Sequence, residues 1–265
     1  MDYSERFKCS LLPDDDNGKD RDYSQANILA QYGSEVKIPS RVSFMDRVPE
    51  IQNQLNFGAC AHFALMRIAA VFDPRIVFSP FYSYYFTRLY EFGIDNIGED
   101  QGSTLRSTLK CANRKGWTLG ELWNYTASNF ALEPNDVAKF YANNKLKYKR
   151  IVYYRINSID EIKFGMAMGY VPYLGIKITD SFYSEETMKT GLISCPSGKK
   201  HGLHGVMVTC FDDDKNGGCL TVDNSWGQSV GDRGRFYMPY DVLPLILNDG
   251  WMVKFIDAPN IGKVM

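Results

Sequence analysis

The segment Gln54-Leu55-Asn56-Phe57-Gly58-Ala59-Cys60-Ala61-His62-Phe63-Ala64 joins a polar loop to an apolar run. Phe63, Leu65, Met66, Ile68 and Ala69 recur at helical spacing, so the pattern predicts a helix reaching Phe72 with Cys60 at its start. Unpaired amides and the macrodipole at such a terminus favour a thiolate over a thiol. Taken alone, Cys60 reads as readily as a small hydrophobe opening a core helix. The choice between nucleophile and core thiol rests on residues far downstream.

A catalytic thiol needs a base, and imidazole has the suitable pKa. The chain has three histidines. His62 follows Cys60 by two positions, which on a helix turns the two side chains about 200° apart. His201 lies in the loop-like Pro196-Ser197-Gly198-Lys199-Lys200-His201-Gly202 run, where a solvated role is expected. His204 directly precedes the apolar Gly205-Val206-Met207-Val208, so it is expected at a strand entrance and is the best base. A turn at residues 213–218 can return the chain so that Asn224 lies beside His204. Asn224 then orients the ring, and Trp226 of Asn224-Ser225-Trp226-Gly227 shields the pair from water. Gln54, six positions before Cys60, carries amide donors that could join the Cys60 amide in holding an oxyanion.

Around these residues the texture changes along the chain. Helical patterns run from Cys60 to Phe72, from Pro80 to Glu91 behind Ser79, from Ser103 to Lys115 before Gly116, and after Glu133-Pro134-Asn135. Strand-like runs follow from Arg150, Val171, Gly205, Cys219, Arg235 and Trp251, with one helix at Ile159 to Met168 between them. The organisation expected is an extended arm over 1–36, a mainly helical lobe over 37–147 whose first part crosses to the other lobe, and a mainly β lobe over 148–265. A cleft is expected where the lobes meet.

Composition restricts the partners. The chain has 265 residues, 45% of them hydrophobic, and a formal charge of −1, which supplies no broad field for nucleic acid or anionic membrane. No run approaches a spanning helix, and the charged N-terminus lacks a signal-peptide apolar region. A cytoplasmic, virion-associated or non-classically delivered protein, acting as a monomer, is expected. The six cysteines include no CxxC pair and read as free thiols, Cys210 and Cys219 among them.

Together Gln54, Cys60, His204-Gly205-Val206 and Asn224-Ser225-Trp226-Gly227 resemble the papain-like cysteine peptidases, in particular the compact bacterial and viral branch without a long helical prodomain. Arg21-Asp22-Tyr23, Ile38-Pro39-Ser40 and the tail from Gly231 to Met238 extend the resemblance. It implies an α+β two-lobe fold, with a helical left lobe and an antiparallel β-barrel-like right lobe flanking the cleft. It implies hydrolysis of a peptide or protein substrate without metal or organic cofactor, as an endopeptidase or exopeptidase. Glu99-Asp100-Gln101-Gly102-Ser103 is similar to the family's cleft loop, so Gly102, Ser103 and also Gly205 are candidate substrate contacts. Phe57 stands where the family has a cysteine, Ala61 where it has an aromatic residue, and Val230 where it has a second tryptophan. His62 is also unusual beside the thiol. A catalytically quiet, peptide-binding member of the same fold is the alternative. Residues 1–36 could pack over the active site as a short zymogen-like segment.

Overall fold

The computed structural model describes residues 3–14, 37–74, 77–144 and 149–257. Strand β1 (Arg41–Ser43) is followed by helices α1 (Cys60–Phe72), α2 (Pro80–Phe92), α3 (Leu105–Lys115) and α4 (Asp136–Asn144). Then come β2 (Lys149–Arg155), α5 (Ile159–Ala167), β3 (Val171–Thr179), α6 (Glu185–Thr190) and β4 (Lys200–Asp212). The last elements are β5 (Cys219–Asp223), β6 (Arg235–Pro239), α7 (Leu243–Ile246) and β7 (Leu247–Asp257).

Local chemistry explains the helix ends. Ser79 Oγ accepts from the Tyr82 amide at the start of α2, Thr104 and Ser107 form a reciprocal capping box on α3, and Ser158 caps α5. Gly116 ends α3 at φ 69°, where a Cβ would lie 2.5 Å from the Ala142 carbonyl oxygen. Helix α1 differs from these. Its N-cap is Ala59, which offers no side-chain acceptor, so the Cys60 and Ala61 amides are not taken by a cap. From Cys60 to Val71 every residue of α1 is buried, and a helix apolar on all sides belongs at the centre of a fold.

The strands form one antiparallel sheet in the order β2-β7-β3-β4-β5-β6, with β1 added to β4. The barrel-like closure that the family resemblance implies is not completed among the described residues, where β2 and β6 end the strand order without pairing to each other. Strand β4 is the longest, at 13 residues, and has partners on both sides. It pairs with β3 over Lys200 to Met207 and with β1 beyond that on one side, and with β5 on the other. His204 therefore stands inside β4, opposite Ile176, and not at its entrance. The Gly- and Lys-rich composition before it suggested a loop, but pairing with β3, through a register shift at Ile178/Thr179, makes it strand.

Helix α1 is fastened to the sheet at its first turn and again at Arg67. A Cβ on Gly205 would lie 3.0 Å from the Ala61 Cα and nitrogen, so β4 can lie against the first turn of α1 only where a side chain is missing. One helical span further on, Arg67 pairs with Asp223 of β5 in a buried ion pair, both side chains being at most 1% exposed. Asp223 also accepts from Arg235 Nε (3.0 Å) and Thr209 Oγ1 (3.0 Å), and Arg67 donates to the carbonyls of Pro49 and Glu50. Every strong donor and acceptor in this cluster is thereby matched, which is the condition under which buried charge is tolerated.

The N-terminal segment is packed and not loose: Phe7 and Leu11 are 4% and 5% exposed and belong to the core. Arg21-Asp22-Tyr23 lies outside the described residues. Because Asp223 precedes Asn224 and Arg67 shares its helix with Cys60, Arg67→Met should loosen the fold and the site together. Urea unfolding should register a loss of ~3–5 kcal/mol.

Candidate active site

The uncapped start of α1 holds Cys60, whose sulfur accepts the Gly205 amide at 3.3 Å and is fully buried. His204, one residue before Gly205, is also fully buried and hydrogen-bonded through Nε2 to Asn224 Oδ1 at 2.7 Å. The Ser225 amide donates to that same Oδ1 at 2.7 Å, which identifies the atom as the oxygen of the side-chain amide. His204 Nε2 must then be the donor, so the neutral ring keeps its proton there and Nδ1 carries the lone pair. Among the described residues that buried Nδ1 has no hydrogen-bond partner. Trp226 lies beside the imidazole, with ring centroids 4.8 Å apart, and is itself fully buried.

Gln54 is oriented by the same motif. Its amide donates to the Ser225 carbonyl at 2.7 Å, and Ser225 Oγ donates back to Gln54 Oε1 at 2.5 Å. Nε2 is thereby turned toward two carbonyl oxygens, of Phe57 at 2.8 Å and of Lys8 at 3.2 Å. Ser225 was not singled out by the sequence reading. It stands in the Asn-Ser-Trp-Gly motif, but the bridge from Asn53 to Trp226 that sets it against Gln54 is a tertiary pairing.

The N-terminal segment runs directly over these groups. Phe7 stacks on Trp226 at 4.6 Å, and the Leu11 amide donates to the Leu203 carbonyl at 3.1 Å. The Leu12 amide donates to the Ser103 carbonyl at 2.9 Å. Gly102, at φ 80°, touches the segment so closely that a Cβ would lie 1.7 Å from the Ser10 carbonyl oxygen. Gly102 and Ser103 thus line the groove the segment fills, whereas Gly205 faces α1 behind the thiol.

His62 points away from the thiol, as expected for its helical position, and its role is local. Nδ1 meets Ser83 Oγ at 2.9 Å and Nε2 meets Ser103 Oγ at 3.2 Å, tying α1 to α2 and to the groove loop. His201 Nε2 is hydrogen-bonded to Asp180 Oδ1 at 2.5 Å, a partner that its glycine-rich surroundings did not announce. Phe57 packs edge-on against Phe81 and stacks near Phe130, both at 5.0 Å, while the Ala61 carbonyl accepts from Tyr173 at 2.7 Å. Val230 is buried. All six cysteines are free, Cys210 and Cys219 included.

Burial sets the charge state of the site. Desolvation pushes the Cys60 thiol up to about 11, opposed by the neighbouring amides of Gly205, Ala61 and Cys60. Desolvation likewise pushes His204 down to about 4 against the pull of Asn224. At neutral pH the covered pair is thiol and imidazole, each uncharged.

No family model matches the chain. The chain is 29% identical over 242 residues to an uncharacterized peptidase C1-like protein of Acanthamoeba polyphaga mimivirus, covering 86% of this chain and 75% of that protein. In structure it is similar to xylellain, a cysteine protease from Xylella fastidiosa, with a TM-score of 0.78, 23% identity, and 95% and 98% of the two chains covered. It is also similar to digestive procathepsin L 3 of Tenebrio molitor larval midgut, with a TM-score of 0.63, 16% identity and 95% and 76% covered. The bromelain protease of Ananas comosus, solved with the inhibitor E64, gives a TM-score of 0.59, 19% identity and 82% and 99% covered. The fold is that of these proteins, and no described helix is long and apolar enough to cross a membrane.

His62 gives a pH signature. Burial, then the nearby Arg88 charge, lowers it to about 3, well below the ordinary histidine value. Above pH 6.5 the ring is neutral whether the chain is folded or not. Below it the unfolded chain binds a proton that the folded chain refuses, so stability falls. Between pH 7 and pH 5.5 this one ring should cost about 1 kcal/mol of unfolding free energy. His62→Gln should lose that much less over the same interval in parallel urea titrations.

Proposed function

We infer that this papain-like chain is a cysteine peptidase in which Cys60 is the nucleophile, His204 the general base and acid, and Asn224 the group that orients the imidazole. The observation that carries this reading is the tautomer imposed at His204: with its proton held at Nε2 by Asn224, the bare Nδ1 is the atom free to accept the proton of a thiol. Cys60 then attacks the substrate carbonyl. Gln54 Nε2 and the Cys60 amide receive the oxyanion, and Nδ1–H protonates the leaving amine. Water, deprotonated by the same nitrogen, releases the acyl group and restores the thiol. Trp226 keeps bulk water from the His204–Asn224 bond.

The arm, residues 1–36, is the part we assign to regulation, beside a helical unit over 37–147 and a β unit over 148–265. Its residues 7–12 hold the groove from Trp226 to Ser103, and its Lys8 carbonyl takes the Gln54 donor that the oxyanion needs. With it docked the thiol and imidazole are fully buried, and desolvation opposes the charged pair. The chain is therefore latent while the arm is docked and becomes competent when water regains the site. Its partner is a peptide or protein substrate, and a formal charge of −1 gives no general attraction to nucleic acid or anionic membrane.

Two full-length variants test both parts. Leu11→Asp places a charge at a buried arm position, so peptide turnover should rise at least tenfold over the unaltered chain, and an epoxide thiol reagent should label Cys60. Adding Cys60→Ala should abolish that turnover. Equal turnover with and without the Cys60 sulfur would end the peptidase reading, and equal rates with and without Leu11→Asp would end the latency.

A further inference from the structure

The groove contains one carboxylate whose partners are unequal. Asp100 accepts from the Gly58 amide at 2.9 and 3.1 Å and from the Tyr84 hydroxyl, both neutral donors that aim the group without cancelling its charge. Its cation comes from the arm: Lys8 Nζ lies 2.5 Å from Oδ2 and also donates to the Asp100 carbonyl at 3.2 Å. Arg88, the other cation in the neighbourhood, is bonded to the carbonyls of Ile97, Glu99 and Phe130. Undocking the arm therefore leaves Asp100 a fixed anion without its ion-pair partner, at the edge of the groove.

Its position relative to the reacting atoms follows from one peptide unit. The Phe57 carbonyl accepts from Gln54 Nε2, and the amide on the other end of the same peptide bond, that of Gly58, donates to Asp100. Asp100 and the Gln54 donor thus lie on opposite edges of one peptide group, each a single hydrogen bond away from it. Lys8 uses both at once, giving its carbonyl oxygen to Gln54 and its ammonium to Asp100. One residue can therefore reach the oxyanion donor with its backbone and this carboxylate with its side chain.

We propose that Asp100 is a specificity-determining residue that selects Lys or Arg as the substrate residue whose carbonyl is attacked, with Lys8 of the arm occupying the same charge site in the latent chain. This rests on the peptidase reading of the same groove. A substrate with a basic side chain recovers the ion pair that the departing arm gives up, while a neutral one leaves a partly desolvated carboxylate unmatched. Arginine adds a planar fork suited to a carboxylate.

The test uses the full chain carrying Lys8→Ala and Leu11→Asp, so that the arm neither fills the groove nor supplies the competing cation. Four peptidyl-coumarin amides are compared that differ only in the residue before the coumarin: Lys, Arg, norleucine and Glu. The basic pair should exceed norleucine in kcat/KM by roughly tenfold or more, with Glu lowest. Asp100→Asn, which retains an acceptor for Gly58, should bring the Lys-to-norleucine ratio close to one while norleucine turnover persists. The same ratio is read without chemistry in the Cys60→Ala form, by calorimetric binding of Lys and norleucine peptides. Turnover with a Lys-to-norleucine ratio that Asp100→Asn leaves unchanged would overturn the proposal. Absence of turnover beside an Asp100-dependent preference in binding would instead overturn the peptidase reading and keep this site.

Discussion

The close approach of β4 to the first turn of α1 at Gly205 is the constraint on which the site depends. Cys60 and His204 come from elements of different type, nearly 150 residues apart, and they meet because one strand residue has no side chain. The same residue gives its amide to the sulfur, so a packing requirement also tunes the thiol. Arg67 and Asp223 hold the two elements in that relation from a second point. With two points of attachment, α1 can neither slide along nor rotate against the sheet without exposing a buried charge.

A second constraint is exclusion of water. With the arm in place the thiol is pushed up to about 11 and the imidazole down to about 4, so the groups best placed for proton transfer are held in their uncharged forms. Geometry and charge state thus have different causes: the sheet and α1 set the first, and desolvation of the buried groups sets the second. Phe7 against Trp226, Leu11 between the two walls of the groove and Lys8 on Asp100 are three kinds of contact, aromatic, backbone and ionic.

Much of the architecture was legible because it depends on local chemistry. Ser79 and Ser158 announce helix starts, Gly116 a helix end, and the apolar run from Val171 a buried strand, since caps and side-chain patterning act over a few residues. What escaped depends on partners distant in sequence. The residues before His204 look like a loop by composition and become strand through β3, and sheet closure cannot be counted from strand patterns alone. That the N-terminal arm packs against the body was expected, but which of its residues are buried, Phe7 and Leu11 among them, is decided by the groove they enter.

The sequence by itself determined which groups are available: a cysteine at an uncapped helix start, a histidine before an apolar run, an asparagine in a turn, and a glutamine six residues before the thiol. Those choices are local, because capping, strand periodicity and turn chemistry act over neighbouring residues. Only the tertiary structure decided the orientation and charge of those groups. The flip of the Gln54 amide depends on Ser225, the tautomer of His204 on Asn224 and the Ser225 amide, and the protonation of Cys60 on its burial and on the Gly205 amide. Hydrogen-bond direction and desolvation are properties of a three-dimensional neighbourhood, and no window of sequence contains that neighbourhood.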